Sequence, residues 1–105
     1  MKRTIRIHDA ATEEAAEAAV WYDREHPGLG AKFQNAIEAA LDLLEHDVVP
    51  LASIPGSAGA HRVQRLILRR FPYSVVVKEH DDELLVVAFA HHSKRPGYWR
   101  ERLRT

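Results

Sequence analysis

The chain has 105 residues and a mass of 11.9 kDa, is 46% hydrophobic and 29% charged, and contains no cysteine. It is long enough for one domain that buries roughly two-thirds of its unfolded surface, and the missing cysteine excludes a disulfide framework, a thiolate zinc site and a cysteine nucleophile. Fifteen Lys and Arg balance fifteen Asp and Glu, yet residues 1–50 hold five basic against ten acidic residues (net −5) and residues 51–105 the reverse (net +5), so the two halves either neutralise each other in the fold or present surfaces of opposite sign.

The N-terminus alternates from Lys2 to His8, with Ile5 and Ile7 on one face, and reads as a short half-buried strand. It carries no apolar core of a secretory leader, and no stretch reaches the ~20 apolar residues of a membrane span. A single cytoplasmic domain over residues 1–105 is therefore expected. Asp9 or Thr12 can cap a first helix running to about His26, with Glu13 and Glu14 favourable against its positive end. Its inner stripe, Ala11, Ala15, Ala18 or Ala19, then Tyr22, is mostly alanine, so a partner element can come close. Pro27-Gly28-Leu29-Gly30 breaks the helix.

A second helix is predicted from about Leu29 to His46, with Leu29, Phe33, Ile37, Leu41 and Leu44 on one bulky face. The two helices form an antiparallel hairpin, small stripe near large stripe. Val48–Ala60, with Pro50, Pro55, Gly56 and Gly59, reads as a loop. Three strands follow at Arg62–Leu68, Tyr73–Glu79 and Leu84–His91, the last two joined at Asp81-Asp82. Their apolar runs, Val75–Val77 and Leu84–Ala90, predict strands covered on both faces. Pro96-Gly97 ends the last strand, and Tyr98–Arg104 forms a final helical turn or tail. The order β-α-α-β-β-β is an α+β domain, a helical hairpin on a largely antiparallel sheet.

Two clusters could carry chemistry. His61–Arg70 places Arg62, Arg65, Arg69 and Arg70 within nine residues, with Arg62 and Arg65 on opposite faces of their strand. Guanidinium groups suit phosphate or carboxylate, and equally serve as solvated charges that discourage edge pairing. His91-His92-Ser93-Lys94-Arg95 forms a polar mouth after the last strand, where a histidine can move a proton and a neighbouring cation can steady a phosphate. Adjacent histidines face opposite sides, so at most one joins a given site. His61, His80, His91 and His92 show no metal-ligand spacing. Trp21, Tyr98 and Trp99 read as packing residues, the last two folding back over the sheet. No metal or cofactor is expected.

Taken in order, Trp21-Tyr22-Asp23, Pro27-Gly28-Leu29-Gly30 before Phe33, Arg69-Arg70-Phe71-Pro72-Tyr73, and His91 before Pro96–Arg102 resemble the RelE/ParE superfamily of toxins from bacterial type II toxin–antitoxin modules. The resemblance covers nearly the whole chain and implies the β-α-α-β-β-β fold, a cognate antitoxin and a toxin–antitoxin hetero-oligomer. RelE-like members cleave mRNA on the ribosome; ParE-like members poison DNA gyrase through protein contacts. On the RelE side the resemblance implies phosphate contact by Arg65 or Arg69, proton transfer by His91, and a C-terminal aromatic at Tyr98. Where many relatives have an arginine three residues after the histidine, this chain has Lys94 followed by Arg95, so on the RelE side the resemblance also implies Arg95 as a candidate phosphate contact, displaced by one residue.

On the ParE side the resemblance implies contact with target or antitoxin through Arg62, Arg69, Arg70, Lys94, Arg95, Tyr98 and Arg102. A ribosome-directed nuclease builds affinity from many phosphate contacts, and RelE-like toxins are strongly basic, whereas this chain is neutral overall. Together with the Trp-Tyr and Pro-Gly-Leu-Gly pieces, this favours DNA gyrase as the target, with the ribosome and mRNA as the alternative.

Overall fold

Every predicted element is present in the computed structural model of the chain, which describes residues 3–46, 51–54 and 63–104. Strand β1 (Thr4–Ile7) leads into helix α1 (Asp9–Glu25) and helix α2 (Leu29–Glu45). Then come β2 (Ala52–Ser53), β3 (Val63–Ile67), β4 (Tyr73–His80), β5 (Glu83–His91) and a closing 3₁₀ turn, Arg100–Arg104. The sheet order is β1-β5-β4-β3-β2, with only β1 on β5 parallel. The expected α+β fold is therefore observed, with one addition. Inside the predicted loop, Ala52 and Ser53 pair with Arg65 and Gln64 as a two-residue edge strand, a pairing set by the partner strand rather than by local sequence. Arg62 and residues 48–50 and 55–60 of that loop lie outside the described residues.

Helix α1 is capped by neither Asp9 nor Thr12, which both lie inside it. His8 is the cap: its Nδ1 accepts from the Ala10 N–H at 3.1 Å, and its carbonyl accepts from Ala11 at 2.9 Å. An imidazole nitrogen here does the work of the usual Asp or Ser oxygen. The turn to α2 explains the Trp21–Gly30 motif physically. Gly28 sits at φ 91°, a left-handed position. Gly30 lies against α1, and its N–H donates to Asp23 Oδ1 at 2.7 Å. Asp23 thus caps α2 from the preceding helix, because Gly28, the formal N-cap, has no side chain to do so.

The hairpin packs on one face of the sheet. Ala11, Ala18 and Ala19 of α1 and Phe33, Ile37, Ala40 and Leu44 of α2 meet Val75, Val77, Leu84, Val86 and Phe89. The opposite face is covered as well: Val63, Val76, Val87 and Ala88 lie under Ile54 and Trp99. Both apolar runs are thus double-faced, and Trp99, 2% exposed, folds back over the sheet as expected. Trp21 does not join the core; it is 54% exposed on the outer side of α1, with only its edge-on contact to Tyr22 among the described ring pairs. Ile7 is 38% exposed at the end of β1, while Ile5 packs beneath the helices.

A β-bulge changes the reading of β5. Val76 pairs with Ala88, but Val77 pairs with Val86, leaving Val87 as an extra residue. Leu84 and Val86 point to the helices; after the bulge it is Phe89 that does so, while Val87 and Ala88 both join the far core. The side-chain parity of every later residue on β5 is inverted.

The two halves are joined by cross-half ion pairs, Arg3–Glu79 at 2.9 Å, Arg6–Glu83 at 3.4 Å and Arg102–Glu14 at 2.9 Å. The remaining charge is still layered. Helices α1 and α2 carry nine acidic residues against Arg24 and Lys32, whereas cations collect at the β3–β4 turn and after β5. Among the described residues, no helix is long and apolar enough to cross a membrane.

Candidate functional site

Two concavities flank β3. The larger is a groove of about 1030 Å³ between α2 and β3. Its floor is apolar, with Leu29, Ala36, Ala40 and Leu43 on one wall and Leu66, Leu68 and Phe71 on the other. Leu43 and Ile67 remain 42% and 48% exposed there. Lys32, Arg65, Arg69 and Arg70 contribute the charge, and no carboxylate lines the groove among the described residues. Arg69 and Arg70 sit exposed on the β3–β4 turn, fanned outward as their position before Phe71-Pro72 suggests.

The smaller is a cleft of about 150 Å³ on the far face, bounded by Arg65, Ser74, the His91–Gly97 turn, Tyr98 and Trp99. It too is lined by no carboxylate among the described residues. Arg65 borders both concavities, and its Nε is buried with no hydrogen-bond partner. A buried guanidinium nitrogen left unpaired is costly, and an anion arriving on either side would relieve it.

The bulge separates the two histidines. His91 lies opposite Tyr73 and packs edge-on against its ring at 5.0 Å, on the helix side. Its Nδ1 takes the Ser93 N–H at 3.0 Å and meets Ser93 Oγ at 2.8 Å. A backbone N–H can only donate, so Nδ1 is the acceptor and Nε2 carries the proton in this arrangement. His92 Nε2 meets the buried Ser74 Oγ at 3.0 Å, on the same sheet face as Arg65, whose partner is Val76. His92 is thus a site residue that sequence reading passed over in favour of His91; its only signal was adjacency.

Tyr98 and Arg102 belong to an internal network centred on Glu14. Glu14 Oε2 accepts from the Tyr98 hydroxyl at 2.5 Å and from Arg102 Nη2 at 3.0 Å; Oε1 accepts from Arg102 Nη1 and the Phe89 N–H at 2.9 and 3.1 Å. Arg102 Nη1 also donates to the Val87 carbonyl at 3.0 Å. Val87 and Phe89 lie just past the end of β1, where β5 would otherwise show a bare edge. Glu14 takes its N–H and Arg102 its carbonyl, as a neighbouring strand would. Glu14 was legible in sequence only as a first-turn acid. Lys94 stands 5.7 Å over the Tyr98 ring, and Arg95 is exposed at the cleft mouth. Sequence-selected residues therefore divide: Arg69 and Arg70 at the groove, Lys94, Arg95 and Tyr98 at the cleft, His91 at the cleft's edge with its ring against Tyr73, Arg65 at both concavities and Arg102 at neither.

All three tyrosines, Tyr22, Tyr73 and Tyr98, have hydroxyl pKa values raised above the ordinary value near 10, each chiefly by burial; at Tyr98 the hydrogen bond and negative charge of Glu14 push the same way. Tyr98 therefore stays protonated and committed to Glu14 at neutral pH. A raised folded-state pKa means that the stabilisation is complete below the unfolded value and is lost as pH rises through the folded values. Urea midpoints should hold up to about pH 10 and fall above it, with tyrosinate absorbance appearing later in the folded than in the unfolded chain. Folded protein titrating at the free-tyrosine value would contradict the burial.

No family model matches the chain, and no curated protein matches it. Among solved structures, a chain described as "Chromosomal ParDE TA system from P. aeruginosa" superposes with a TM-score of 0.70 at 16% identity, covering 86% of this chain and 96% of that one. At that identity the likeness establishes a shared fold.

Proposed function

We propose that this protein is the toxin of a type II toxin–antitoxin module, held inactive by an acidic antitoxin segment in the α2–β3 groove, and that once free it inhibits DNA gyrase through protein contacts. The observation that carries the reading is the groove: an apolar floor with Lys32, Arg69 and Arg70 around it and no carboxylate among its described lining residues, on a fold shared with a ParDE chain. An initially disordered tail that folds on binding can cover such a surface. Gyrase fits better than RNA cleavage because the residues a nuclease would use are already engaged, the candidate proton-transfer group His91 through its Nδ1 with Ser93 and the C-terminal aromatic Tyr98 with Glu14. Both targets lie in the cytoplasm.

A second reading, ribosome-dependent mRNA cleavage, is favoured by the cleft. Arg65, Lys94 and Arg95 gather there with His92 and no described acid, a setting that attracts phosphate.

Expression of the chain alone should stop growth, and co-expression with the neighbouring reading frame should restore it. Purified protein should block gyrase supercoiling and leave mRNA intact in a translation extract. Removing a general acid or base costs about 100- to 10,000-fold in rate, so a folded His91→Ala or His92→Ala variant that retains toxicity supports the gyrase reading. A folded, antitoxin-binding but inert histidine variant, with codon-positioned cuts by the wild type, would replace it with the nuclease.

A further inference from the structure

We propose that the outward face of α1, centred on Val20 and Trp21, is the surface with which this protein grips its target, and that the partner offers an apolar pocket rimmed by lysine and arginine; this rests on the toxin reading above. Helix α1 turns Ala11, Ala18 and Ala19 inward, which sends Glu13, Glu17, Val20, Trp21 and Arg24 out along the opposite side. Val20 is 52% and Trp21 54% exposed, more than any other large hydrophobic residue described. Apart from Val20, Trp21 and the core-facing Tyr22, the apolar residues of the helix are all alanine, so nothing in its own packing requires an indole there.

The indole is also held in place. Trp21 packs edge-on against Tyr22 at 5.2 Å, and Tyr22 is wedged against Phe33 and Phe71 at 5.3 and 5.1 Å. A large aromatic ring presented on a stiff helix loses little freedom on docking, which is what an interface anchor needs. Its rim, Glu13 and Glu17 against Arg24, asks for cations opposite. The same rim repels the acidic segment assigned to the groove, whose charges have the other sign. Target and antitoxin thus meet different faces of the molecule.

The chain has two tryptophans, and because Trp99 is buried, iodide quenching reads Trp21. Titration of the full chain with gyrase holoenzyme should protect Trp21 from iodide and shift its emission to the blue. Trp21→Ala should raise the concentration for half-inhibition of supercoiling by about tenfold or more and abolish growth arrest, with circular dichroism unchanged and antitoxin binding within about twofold. Glu17→Lys, an exposed change that leaves the packing alone, should weaken toxicity in the same direction. A Trp21→Ala chain that arrests growth like the wild type overturns the α1 surface whatever the target. Growth arrest that depends on Trp21 while supercoiling stays intact keeps the surface and overturns gyrase. A wild-type chain that never arrests growth overturns both.

Discussion

Glu14→Ala is expected to lower the folding stability by about 3 kcal/mol, the largest effect of any single truncation outside the apolar core. One carboxylate satisfies four donors from three separate places: the Phe89 N–H, the Tyr98 hydroxyl and two guanidinium nitrogens of Arg102. The Glu14 and Arg102 side chains are only 21% and 18% exposed, so water replaces little of what is lost. Alanine would leave Arg102 with the Val87 carbonyl but without its carboxylate, and would take the acceptor from the half-buried Tyr98 hydroxyl and from the Phe89 N–H beyond β1. Each such group costs about 1–3 kcal/mol when left unsatisfied.

Glu14→Gln should fall between wild type and alanine, since its amide oxygen still accepts while its NH₂ faces donors. Arg102→Ala in the Glu14→Ala background should cost less than in the wild type, because the ion pair is already gone. Urea unfolding measures all three. A Glu14→Ala loss below about 1 kcal/mol would show that the network is held by the Trp99 packing around it rather than holding the C-terminal turn in place.

Gly30→Ala is expected to destabilise by about 2 kcal/mol or more, although alanine is the better helix former by roughly 1 kcal/mol. A Cβ at residue 30 would press into the Ala19 carbonyl oxygen and lie 2.7 Å from Asp23 Oδ1. The carbonyl belongs to α1 and cannot yield unless the two helices part, and parting them would disturb the Asp23 cap on Gly30. Gly28 offers the contrast: nothing lies within 4 Å of its missing Cβ, but its φ is 91°, so Gly28→Ala should cost only about 1–2 kcal/mol of backbone strain. Thermal melts of both variants should place Gly30→Ala below Gly28→Ala. The reverse order would mean that the hairpin opens easily at its turn.

Much of the candidate site is legible in the sequence, though in pieces. Arg69 and Arg70 ahead of Phe71-Pro72 flag the groove rim, and the polar run from His91 to Arg95 flags the cleft. What no single segment can show is that Arg65 touches both, since that follows from β3 lying between α2 on one side and the post-β5 turn on the other. Nor can it show that Tyr98 and Arg102 answer to Glu14, more than eighty residues away in sequence.

The elements, their order and the two-faced burial of β4 and β5 follow from the residues of each segment. Hydrophobic period, Pro-Gly breaks and unbroken valine-rich runs are local properties, written in neighbouring positions. The charge asymmetry is equally a matter of sequence, and the fold turns it into an acidic helical layer and cationic concavities. Which residues face each other is settled in three dimensions. The short β2 and the exposure of Trp21 depend on what arrives from distant parts of the chain. The bulge at Val87 is the sharpest case. Alternation along β5 would send His91 to the Arg65 face, but one extra residue inverts the parity, so Phe89 enters the helix-side core, His91 turns to Tyr73 and His92 reaches Ser74. A period-two strand loses its register whenever a single residue is inserted, and that insertion is visible only where two strands are paired.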